Sequence, residues 1–136
     1  MAALADKKAL TLTAARAIIA AAEAEARKHN LAVTMSVVDD GGHLLHLARM
    51  DDAGLASVEV SLAKARAAAM FKRPTKFWED AHASGKTHLA NLPGVLPIEG
   101  GVPLMADGKV IGAFGVSGAS SAQDGQVATA GAAALG

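Results

Sequence analysis

Arg49, Lys64 and Glu99 are the side chains whose types and settings best fit chemistry on a small anion. Arg49 ends an extended apolar run, and Lys64 sits in an alanine-rich helical pattern on one stripe with Ser57 and Ser61. A guanidinium, an ammonium and two hydroxyls can receive a carboxylate through charge-assisted hydrogen bonds. The blander reading of Lys64 is a stem packed on alanines with its amine in water. Glu99 precedes Gly100 and Gly101, which permit close approach of a ligand or another backbone, so its carboxyl is a candidate general acid or base. It could equally pair with Lys64 or Arg49. The expected ligand site is therefore Arg49, Lys64, Glu99, Gly100 and Gly101, with Glu99 its catalytic candidate. Asp124 most simply favours the first turn of a closing helix through the helix dipole.

The histidines argue against a metal centre. His43 and His46 stand three apart on an extended segment and so face opposite ways, while His82 and His88 straddle a bend at Gly85 with no acidic ligand at helical spacing. One imidazole as an axial ligand to haem survives this test, and His43 is the candidate, although a solvated turn residue explains it more simply.

Two familiar motifs fail on inspection. Ser84-Gly85-Lys86-Thr87 mimics the end of a phosphate-binding loop, but Asp80 stands where the motif needs glycine and a helix, not a strand, precedes it. A helix-capping glycine explains Gly85 better. Gly115-Val116-Ser117-Gly118-Ala119 resembles a nucleophile elbow, yet Ala119 replaces its last glycine and no histidine follows. Ser117 reads as a turn or helix-capping residue.

Composition narrows the function classes. Thirteen basic and thirteen acidic residues cancel among 136, so no global field steers the chain to nucleic acid or an anionic membrane. The absence of cysteine removes disulfides, thiolate catalysis and Cys-based metal sites. No apolar run has signal-peptide or membrane-spanning character, so a cytoplasmic address is expected. Apolar content is 51%, nearly half of it alanine, with 3% aromatics. Small side chains favour close packing and closure of surface between subunits, so a homo-oligomer larger than a dimer is expected.

The elements that position these residues follow from periodicity. Ala15, Ile18, Ile19, Ala22 and Ala26 predict a helix over 13 to 29, capped by Thr13. The period then becomes two, and Asp39-Asp40-Gly41-Gly42 joins two strands into a hairpin over Val33 to Met50. A helix over 56 to 71 is apolar on two sides, with Val58, Leu62, Ala65 and Ala69 on one and Val60, Ala63, Ala67 and Met70 on the other. Pro74 stops it, and Thr75 can cap a short helix from Lys76 to about Ser84. A long connection over 85 to 98 leads to a second hairpin, Val102 to Met105 and Lys109 to Ser117, and a helix from about Ala122 to Leu135. The order α-β-β-α-α-β-β-α, with hairpins between helices, predicts a single α+β domain over 1 to 136: an antiparallel sheet covered by helices.

Val37-Val38-Asp39-Asp40-Gly41-Gly42-His43-Leu44-Leu45, Arg49-Met50-Asp51, Lys64-Ala65, Glu99-Gly100-Gly101-Val102-Pro103 and Gly115-Val116-Ser117-Gly118 with Gln123-Asp124 together resemble the GlcG/HbpS family, or DUF336 domain, closest to its glycolate-operon branch. The likeness runs from about Leu12 to Leu135. It implies an α+β sandwich assembled as a symmetric oligomer, and haem or another small ligand. A similar domain is fused to cobalamin adenosyltransferases, and members often occur beside genes for small-molecule catabolism. The secreted member begins with an export signal that has no counterpart here, so its extracellular role is not carried over. His43 is shared with the glycolate-operon branch.

Two function classes follow. One is a non-catalytic small-ligand protein with haem as the leading ligand, and the other a cofactor-independent enzyme on a small carboxylate or carbonyl compound, gripped by Arg49 and Lys64 with Glu99 as acid or base.

Overall fold

The computed structural model describes residues 2–136. Helix α1, Leu12–Lys28, buries Ala15, Ile18, Ile19, Ala22 and Ala26 along one stripe. Its cap is Thr11, whose hydroxyl accepts from the Ala14 amide at 3.1 Å, rather than Thr13. The helix begins one residue earlier than periodicity alone indicated, because the capping hydroxyl must precede the first turn.

Strands β1, Thr34–Asp39, and β2, Leu44–Arg49, form the first hairpin. Asp39 holds its turn: Oδ1 accepts from the amides of Gly41 and His43, each at 2.9 Å. Strands β3, Gly101–Ala106, and β4, Lys109–Ser117, form the second. Asp107 and Gly108 make its two-residue turn with φ of +52° and +74°, the left-handed pair that matches strand twist. The sheet order is β2-β1-β4-β3, antiparallel throughout, so the hairpins meet along β1 and β4.

Helices cover both faces. Helix α1 and the closing helix, Ser121–Ala132, pack on one side over Met35, Val37, Phe114 and Val116. Helix α2, Ser57–Phe71, lies on the other over β1, β3 and β4. The short helix α3, Lys76–Ala83, follows, which makes the closing helix α4. The 85 to 98 connection contains a 3₁₀ turn, Thr87–Asn91. The order is α-β-β-α-α-β-β-α in an α+β fold, as the sequence indicated.

Three local expectations are corrected. Ser117 is the last residue of β4, and Ser120 caps α4 through a reciprocal box with Gln123. Thr75 makes no capping bond; its hydroxyl accepts from the Gly101 amide at 2.9 Å and ties α3 to the start of β3. The sheet-facing stripe of α2 is Ser57, Ser61, Lys64, Ala65 and Ala68, while Ala63 and Met70 of the expected second apolar face are exposed. Gly85 does end α3, with φ +100° and the Gly85 and Lys86 amides bonded to the His82 and Ala81 carbonyls.

Candidate functional site

A polar stripe buried against a sheet must satisfy every donor and acceptor it carries. Ser57 and Ser61 do so by meeting the Thr34 and Ser36 hydroxyls of β1, each at 2.7 Å. One turn further along α2, Lys64 donates to the Val116 carbonyl at 2.9 Å and to Asp124 Oδ2 at 3.0 Å. Lys64 and Asp124 side chains are each 2% exposed. The amine of Lys64 is therefore not wet, and its partner is Asp124 rather than Glu99 or Arg49. Asp124 Oδ1 in turn accepts from the Ala119 amide at 2.9 Å. Asp124 does sit in the first turn of α4, but it also fixes the β4-to-α4 corner to α2.

Glycines make this approach feasible. A Cβ on Gly115 would lie 2.0 Å from the Ser61 carbonyl oxygen, and one on Gly101 would lie 2.3 Å from that of Lys64. Gly100, with φ +134°, leaves the space beside Lys64 Nζ, which a Cβ there would meet at 2.7 Å. Lys64 thus stands against Gly100 and Gly101.

Glu99 is half-buried at the same place. Its carboxylate lies over Gly125 of α4, where a Cβ would come within 2.0 Å of Oε2. Its amide donates to Glu79 Oε1 at 3.1 Å. Burial first, and then the charge of Glu79, push the Glu99 carboxyl above its ordinary range, opposed by Lys76 and Lys64. A carboxyl held toward its neutral form is suited to proton transfer. The cluster comprises Lys64, Glu99, Gly100, Gly101 and Asp124, with Glu79 and Thr75 supporting the Glu99–Gly101 backbone.

Arg49 lies elsewhere. It is exposed at the end of edge strand β2, paired with Thr34, and β1 stands between it and β4. Two strand spacings of about 4.8 Å separate β2 from β4. Its side chain makes no hydrogen bond or ion pair among the described residues.

His43 occupies a third place, the β1–β2 turn, with a side chain 83% exposed and Nδ1 3.4 Å from Asp39 Oδ1. The turn rests on α2: Arg66 Nε donates to the Gly42 carbonyl at 3.1 Å, and a Cβ on Gly42 would meet Met70 Cε at 3.0 Å. Among the described residues no group of three His, Asp or Glu side chains is placed to hold a metal, and no helix is long and apolar enough to cross a membrane.

Residues 10–133 match the family model described as haem degrading protein HbpS-like. The chain belongs to this family. It is 49% identical to protein GlcG of Escherichia coli over 111 residues, covering 82% of this chain and 83% of that protein. Among solved structures it resembles Klebsiella pneumoniae ORFY, of family DUF336, with a TM-score of 0.88, 34% identity, and coverage of 99% and 97% of the two chains. It also resembles PduOC crystallised in complex with haem, with a TM-score of 0.83, 32% identity, and coverage of 93% and 95%. The GlcG/HbpS resemblance read from the sequence blocks is thereby confirmed, and one of these similar structures, PduOC, is a haem complex.

Sequence reasoning missed Asp124 as the partner of Lys64, Glu79 as the support of Glu99, and the close packing at Gly115 and Gly125. One signal was available: a lysine sharing a helical stripe with two serines needs a carboxylate when that stripe faces a sheet, and Asp124 stands in the first turn of the helix after β4.

Proposed function

We propose that this chain is a small-ligand-binding protein that takes haem at a peripheral site, with His43 as the axial imidazole. The carrying observation is the His43 side chain itself: highly exposed, on a turn fixed by two bonds to Asp39, with the Asp39 carboxylate beside Nδ1. The ring makes no hydrogen bond among the described residues, so its nitrogens are open to a metal. Exposed Met70 beneath the turn supplies apolar contact.

The residues fit a surface site rather than a deep one. Phe71 and Phe77 pack edge-on against Trp78, and Phe114 is buried in the core, so no broad aromatic wall stands beside His43. Bound haem would supply an iron centre with a coordination position open to one imidazole. The family description and the haem complex of PduOC support the choice of ligand. Cytoplasmic location, a homo-oligomer larger than a dimer and a place in small-molecule catabolism complete the proposal. Haemin titration followed at the Soret band tests it: a saturable new band supports binding, and unchanged free-haemin absorption overturns it.

The second reading is a cofactor-independent enzyme on a small carboxylate or carbonyl compound. The observation favouring it is the raised pKa of half-buried Glu99 beside Lys64, Gly100 and Gly101. Glu99 would act as acid or base there, with Lys64 beside it, and Arg49, on the far edge strand, lies outside this site. Turnover lost in Glu99→Gln supports this reading, and turnover unchanged removes it.

A further inference from the structure

A cavity of about 590 Å³ opens where both hairpin turns meet the C-terminal end of α2. Ala69, Met105 and Val110 give it an apolar surface, and Lys7, Lys72 and Lys109 give it cationic walls. One side is built by the segment before α1, which runs across the two turns. Lys7 pairs with Asp40 of the first turn, Lys8 with Asp107 of the second at 3.3 Å, and Lys109 donates to the Asp6 carbonyl. Leu10 then anchors this strap in the core, its Cδ2 2.8 Å from where a Gly112 Cβ would lie.

The charges around the cavity are not evenly matched. Lys7 and Lys8 have carboxylate partners, and the Lys7 ammonium holds the Asp40 carboxyl below its ordinary range. Lys109 meets only a neutral carbonyl, and Lys72 makes no hydrogen bond or ion pair among the described residues. Lys72 is also fixed at the helix end by its left-handed backbone, φ +55°. Two ammonium groups without counter-charge beside an apolar wall form a receptor for a carboxylate attached to a short hydrocarbon.

We propose that this cavity is a carboxylate-binding site gripped by Lys72 and Lys109. It is distinct from the Lys64 cluster, and it does not rest on His43 as a haem ligand. Its carboxylate has two sources: a free small dicarboxylic acid, or the propionates of a haem held at the neighbouring β1–β2 turn, which contributes Asp40 to the cavity.

The test titrates the full chain with succinate, following backbone amide shifts, and separately with haemin and haemin dimethyl ester by absorption. Wild type is compared with Lys72→Met/Lys109→Met and with Lys28→Met as a distant control. Succinate is expected to shift amides at 69–72 and 108–110. The double variant is expected to weaken binding about tenfold or more, as loss of charge-assisted bonds dictates, and added salt should weaken wild type too. Lys28→Met should match wild type. If haemin loses affinity in the double variant while its dimethyl ester does not, the propionates use the site as well. Absence of haemin binding leaves the succinate result standing, so failure of the haem reading is separable. Succinate shifts that fall elsewhere, or that persist unchanged in the double variant, overturn the proposal.

Discussion

Lys64 Nζ lies 3.0 Å from Asp124 Oδ2 between α2 and the start of α4, with both side chains shut off from water. A charge so placed is tolerable only with its partner, because desolvation costs several kcal/mol per ion. This pair, with the Val116 carbonyl, is where helix, strand end and closing helix are locked together.

Asp124→Ala should therefore destabilise the fold by about 3–5 kcal/mol, since it strands a buried ammonium. Lys64→Met should be costly for the matching reason. Lys64→Met/Asp124→Leu should cost clearly less than the sum of the singles. Denaturant midpoints measure this, and strict additivity would show that the two residues do not act as a pair.

Glu99 gives a pH dependence of defined sign. Its folded pKa is raised above 4.5 by burial and Glu79, so the native state holds its proton more tightly than the unfolded chain. Stability from this group is fully present below the unfolded pKa and is lost as pH rises through the folded value. Glu99→Gln should thus gain thermal stability relative to wild type as pH is raised from acid to neutral. A difference in Tm that is flat with pH would contradict this.

Much of this architecture was legible because its signals are local. The second hairpin, Val102 to Ser117, and the Ala15-to-Ala26 stripe each depend on residues a few positions apart, and both stand where the sequence put them. The Gly85 helix end is another such case. The burial of the Lys64 amine was not legible because its environment is set by Asp124 and Val116, distant in the chain, and alanines around it look equally suited to water or core. Thr75 and Ser117 failed for a related reason: Gly101 recruited one hydroxyl and the sheet absorbed the other residue. At the candidate site the sequence brought forward Lys64, Glu99, Gly100 and Gly101, which do stand together. Arg49 was grouped with them as a charge at a strand end, and strand order decides its position.

Gly115 has a packing role that alanine should expose. Its missing side chain lets the Ser61 carbonyl approach to a distance that a Cβ would reduce to 2.0 Å. Gly115→Ala should cost at least about 1–3 kcal/mol as α2 is forced off the sheet. An unchanged unfolding midpoint would show that the helix can move away freely.

Exposed Leu55, Met70, Phe77, Leu92 and Ile98 lie on α2, α3 and the segments that flank them. Such a set favours burial against further copies of the chain. Light scattering should give a mass above that of a dimer at micromolar concentration. A stable monomer would refute the assembly.

Absorption spectroscopy of wild type and His43→Ala during haemin titration is the most direct measurement of haem binding through His43. Wild type should give a saturable Soret band of an imidazole-ligated iron, and His43→Ala should shift that band and weaken the affinity. Identical spectra and affinities in the two proteins would contradict His43 as the ligand, and no binding in either would contradict haem itself.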